Sequence, residues 1–72
     1  LARQWTAARA AYDRFLERGT GTRVMRDDAA FYRAYSAIES GAEAEGRRLL
    51  ERYLREFPAG RHVKRARSVL AR

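Results

Sequence analysis

Apolar residues recur along this chain at helical spacing and nowhere alternate with period two over enough residues for a strand. Trp5, Ala8, Tyr12 and Phe15 fall at i, i+3, i+7 and i+10, with Leu16 beside them, so one stripe predicts a helix over 2–18. Gly19 stops it, and Gly19-Thr20-Gly21-Thr22 reads as a flexible linker. A second helix is expected over 24–40, with Thr22 as its cap and Asp27 and Asp28 near its positive end. Its apolar positions (Ala29, Ala30, Phe31, Tyr32, Ala34, Tyr35, Ala37 and Ile38) run most of the way around, which predicts cover on more than one side. Ser40-Gly41 ends it. The third helix, over 42–57, has the cleanest pattern. Gly46, Leu49, Leu50, Tyr53, Leu54 and Phe57 share one face, while Glu43, Arg47, Glu51 and Arg55 form acid–base steps at i, i+4 on the other. Pro58 forbids continuation and Gly60 permits a turn. The last helix, over 61–71, places Val63, Ala66 and Leu70 on one face. The pattern predicts an all-α, antiparallel array of four helices in a single domain spanning 1–72.

Two stretches of the chain echo each other. Asp13-Arg14-Phe15-Leu16-Glu17-Arg18 falls on Glu51-Arg52-Tyr53-Leu54-Arg55-Glu56, and at the same displacement Ala8 falls on Gly46 and Tyr12 on Leu50. An acidic–Arg–aromatic–Leu helix end, a Gly-containing turn and a basic–apolar restart therefore occur twice, which is the mark of a repeat architecture.

The pair of helices over 24–57 resembles a tetratricopeptide repeat. That family places small residues where its two antiparallel helices cross, Gly at the end of the first helix, a large apolar residue on the second and Pro after it. This chain has Ala34 and Gly46, Gly41, Leu50 and Pro58 in those places. It departs from the pattern with Ala30 in place of the usual Trp, Arg33 in place of Leu, Ala37 in place of Tyr and Tyr53 in place of Ala. Tyr53-Leu54-Arg55-Glu56-Phe57-Pro58-Ala59-Gly60, followed by Val63 and Ala66, is similar to the divergent repeats of bacterial Tol–Pal-associated and outer-membrane-assembly lipoproteins. The resemblance implies a fragment of a right-handed α–α superhelix, in which 2–18 closes a preceding repeat and 61–71 opens a following one. It also implies a bacterial protein, with the periplasm or cell envelope favoured over the cytoplasm.

Composition sharpens this picture. The 72 residues make one domain at most, and 46% are hydrophobic, but 14 of those are Ala, so the core is thin and suits close-packed helices. There is no Cys, hence no disulfide and no thiolate metal site. No apolar run approaches the roughly 20 residues needed to cross a bilayer. The chain starts at Leu1 rather than Met, which points to a fragment or processed form. Seventy-two residues amount to about two repeats, where independent stability usually needs about three. The net charge is +7, with 15 Arg and one Lys.

If the repeat phase holds, the inner face of the second helix presents Asp28, Phe31, Tyr35, Ile38 and Glu39, and that of the fourth presents His62, Arg65, Val69 and Arg72. Helical repeats use such a concave face to hold a peptide or a partner's helix, so a protein or peptide partner is the expected ligand of Asp28, Phe31, Tyr35, Ile38, His62, Arg65 and Val69. The family's Lys–Asn carboxylate clamp is not expected, since the chain has one Lys and no Asn. Arg33 and Arg65 could still meet an acidic ligand, because a guanidinium binds a carboxylate with a two-pronged fork. Residues 61–72 carry Arg61, Lys64, Arg65, Arg67 and Arg72 without an acid, which gives a second reading as a basic helix docking nucleic acid or another polyanion. No nucleic-acid-binding signature accompanies it, and its short apolar face argues against membrane contact. A third reading is self-association through the stack ends, at Trp5 and Val69. No catalytic, cofactor or metal site is expected. His62 is the only His, Glu43 and Glu45 do not face each other on a helix, and Ser36, Ser40 and Ser68 lack a nucleophile context.

Overall fold

A computed structural model describes residues 2–72. Four helices follow one another: α1 (Ala2–Arg18), α2 (Arg23–Glu39), α3 (Glu43–Glu56) and α4 (Val63–Leu70). No strand occurs among the described residues. Neighbours in sequence are antiparallel neighbours in space. Trp5 and Tyr12 of α1 meet Tyr35 and Tyr32 of α2, so their order reverses. Gly46 lies against Ile38 and Ala34, while Tyr53 reaches back to Asp27. Arg47 meets Leu70, and Tyr53 meets His62. The layer is thin, 29 × 27 × 15 Å.

The boundaries follow local chemistry. Gly19 takes a φ of +66° and Gly41 one of +100°, left-handed conformations open to glycine because it has no Cβ. The Thr22 hydroxyl accepts from the Met25 N–H at 3.1 Å, the cap the sequence predicts. Asp27 and Asp28 do not serve the positive end of α2. They lie in its second turn, and its first turn has no acid. Instead they bind the chain entering α4. Asp27 accepts from the Arg61 N–H at 2.9 Å, and the Tyr53 hydroxyl accepts from the His62 N–H at 2.9 Å. With those two amides committed to side chains, Arg61 and His62 stay in a turn and α4 begins at Val63, two residues later than the periodicity predicts. The expected acid–base ladder of α3 also changes. Arg47 donates to the Leu70 carbonyl at 2.6 Å, at the negative end of α4, and the i, i+4 pair formed within α3 is Arg52–Glu56 at 3.2 Å.

The core is centred on α2 and α3. Ala30, Phe31, Ala34, Leu50, Tyr53, Phe57, Ala66 and Val69 form one buried cluster. Alanine and glycine set the helix separations, so α2 is covered by α1 on one side and α3 on the other. Arg9 of α1 fixes the outer helices by binding Glu45 of α3 with both terminal nitrogens, one at 3.0 Å. That pair raises the Arg9 pKa, chiefly through the hydrogen bond to Glu45, and lowers that of Glu45 for the same reason.

Candidate functional site

One side of the layer carries a continuous strip of rings and cations. Phe31 is its floor. The His62 ring stacks on it at 4.5 Å and the Tyr35 ring at 6.0 Å. Trp5 meets Tyr35 edge-on at 5.7 Å. The Arg65 guanidinium lies over both rings, 4.9 Å from the centre of Tyr35 and 5.5 Å from that of Phe31. Arg65 has no carboxylate partner among the described residues, so its hydrogen-bond donors stay available above an aromatic base. At the other edge, Asp28 holds His62 Nε2 at 2.7 Å and Arg61 Nη1 at 3.3 Å.

The structure thus brings Asp28, Tyr35, His62 and Arg65 together on one accessible surface, with Ile38 half-buried beside Gly46. It places two residues of the expected face elsewhere. Phe31 is 0% exposed and Val69 3%, so both support the surface from inside and neither can touch a partner. The reason is that α4, packed on α3, sets Ala66 and Val69 into the same core cluster as Phe31, and the His62 ring stacks on Phe31. Burial also removes Val69 as an apolar stack end, and Trp5 is half-buried against Tyr35. Among the described residues, the exposed large apolar ones are Val24 and Met25, at 53% and 49%. Trp5 and Arg61 belong to the strip, although the sequence offers Trp5 as an apolar stack end and Arg61 as part of a basic tail. The Trp5–Tyr35 pair joins two helices and the Arg61–Asp28 pair joins a turn to a helix, so no local periodicity reveals them.

The opposite side of α2 holds a cleft of about 360 Å³ between α1, α2 and α3, into which Arg33 projects. Arg33 Nε is buried without a hydrogen-bond partner, and the nearest carboxylate oxygen, on Asp13, is 3.9 Å away. Burial, and then the charge of Arg52, lowers the Arg33 pKa.

Among the described residues, no three His, Cys, Asp or Glu side chains gather as a metal site, and no helix is long and apolar enough to cross a membrane. No family model, curated protein or solved structure matches the chain.

Proposed function

We propose that the chain is a protein–protein interaction module, a tetratricopeptide-like scaffold or adaptor segment, that holds a partner peptide or helix on the strip formed by Trp5, Tyr35, His62 and Arg65. The observation that carries this reading is the Arg65 guanidinium laid over Tyr35 with no acid to satisfy it. An exposed aromatic–arginine pair supplies apolar area at low entropic loss together with a planar fork for carboxylate or backbone carbonyl, the residue types that dominate binding energy at interfaces. The repeat resemblance and the bacterial-envelope setting it implies support the same reading. Tyr35→Ala and Arg65→Ala should each weaken partner capture while the far-ultraviolet circular dichroism stays that of the parent chain. Undiminished capture would assign the partner to another surface.

A second reading rests on Lys64, Arg67 and Arg72, which are exposed and have no acidic partner among the described residues. They make α4 a docking helix for nucleic acid or another polyanion. Counterion release then requires affinity for an oligonucleotide to fall steeply as salt rises; no binding at low salt removes this reading. Self-association would use Val24 and Met25 rather than Val69, and sedimentation over a concentration series tests it.

A further inference from the structure

We propose that the cleft between α1, α2 and α3 is a carboxylate-binding site whose anchor is Arg33, with Arg26 elsewhere in its lining. It faces away from the strip of Tyr35 and Arg65, so it is a separate site. The cleft is lined by Arg26, Arg33 and Arg52 and by Asp13, Glu17 and Glu56, over an apolar floor that includes Ala30 and Phe57. Formal charge balances, but the pairing does not. Asp13 is bound by Arg9 at 3.5 Å, and Arg9 in turn grips Glu45. Glu56 is bound by Arg52 at 3.2 Å. Two cations and one acid remain: Arg33, Arg26 and Glu17, and neither Arg26 nor Glu17 has an ion-pair partner among the described residues.

Arg33 is the unsatisfied group. Its side chain is only 14% exposed, its Nε has no hydrogen-bond partner, and Asp13 approaches no closer than 3.9 Å. Asp13 is shared with Arg9, so this long ion pair offsets the desolvation of the Arg33 donors only in part. Nε is shut off from solvent, so the open end of the guanidinium is its pair of terminal nitrogens. Two parallel N–H groups match the two oxygens of a carboxylate. Arg26 adds a second positive charge to the lining, and the cleft has room for a carboxylate group and its stem. The group could belong to a free organic acid or to an acidic side chain of a partner.

The test is a titration followed by nuclear magnetic resonance, reading the side-chain Nε–H of Arg33 at constant ionic strength. Acetate should give a saturating shift, and acetamide, its neutral counterpart, none. Arg33→Met should abolish the saturable response elsewhere in the cleft, and Arg33→Lys should weaken it at least several-fold, since it keeps the charge and loses the fork. Arg26 is exposed, so Arg26→Gln should keep the fold and still weaken acetate several-fold. A peptide blocked at both ends and carrying one Glu distinguishes the sources: tighter saturation than acetate assigns the group to a partner chain, and equal or weaker saturation assigns it to a free acid. A linear, non-saturating response to acetate, an equal response to acetamide, or full binding by Arg26→Gln and Arg33→Lys overturns the site.

Discussion

The Tyr53 hydroxyl donates to the Asp27 carboxylate at 2.5 Å while accepting from the His62 N–H at 2.9 Å, so one buried oxygen joins α2, α3 and the entry to α4. Tyr53 is 1% exposed and Asp27 6%. Tyr53→Phe keeps the ring and deprives Asp27 Oδ1 and the His62 N–H of their partner, which should lower stability by about 2 kcal/mol. Asp27→Ala removes the acceptor for Tyr53 and for the Arg61 N–H together and should be at least as severe. Thermal denaturation of the two variants checks both values.

The same hydroxyl makes the fold alkali-sensitive. Burial first, and then the hydrogen bond to Asp27, raises the Tyr53 pKa from 10.0 to about 12. The folded state therefore favours the protonated phenol. Its contribution is complete below pH 10 and disappears as pH rises from 10 through about 12, a loss of about 2–3 kcal/mol. Denaturant unfolding across this range should show the midpoint falling in the parent chain and much less in Tyr53→Phe.

Gly46 sits in the middle of α3, where alanine normally stabilises a helix by about 1 kcal/mol. Here the sign reverses. A Cβ at this position would run into the Ile38 side chain and would also lie 2.9 Å from the Ile38 backbone nitrogen and 3.0 Å from the Ala34 carbonyl oxygen, so backbone as well as a side chain stands in the way. Gly46→Ala should push α2 and α3 apart and cost about 1–3 kcal/mol. A stability equal to or above the parent's would contradict the close crossing.

Arg33 and Ser36 carry the buried side-chain atoms left without hydrogen bonds, Arg33 Nε and Ser36 Oγ, among the described residues. Arg33→Met fills similar volume without a charge and should raise the stability of the unliganded chain by about 1 kcal/mol. Ser36→Ala drops a hydroxyl that gains nothing where it is and adds helix propensity, for a smaller gain of about 0.5 kcal/mol. Chemical denaturation reads both directly.

The elements were legible because their signals are local. The stripe through Trp5, Tyr12 and Phe15, the Thr22 cap, the turns at Gly19 and Gly41 and the stop at Pro58 place every helix boundary within two residues. What could not be read depends on meetings between helices. Asp27 and Asp28 look like charges set for a helix end until α3 and α4 fold over them. Phe31 and Val69 occupy a helical phase that suits a binding face, and only the packing of the helices against one another shows that both lie in the core cluster with Ala66. Arg47 has Glu43 and Glu51 at the right spacing, yet it pairs with a carbonyl at the end of α4, a partner sequence spacing does not reveal. The cleft at Arg33 was visible only as a misfit, a cation where the resembled repeat has leucine.

The central claim is that a partner lies across the strip of Tyr35 and Arg65. The most direct measurement places a photo-cross-linking residue at Glu39, exposed at the end of α2 on that side, and a second one at Glu51, exposed on the outer face of α3, in the full-length protein in its own cell. Glu39 should give a discrete adduct that disappears in Tyr35→Ala and Arg65→Ala, and Glu51 should give none. An adduct from Glu51 alone, or one from Glu39 that survives both substitutions, would contradict the claim.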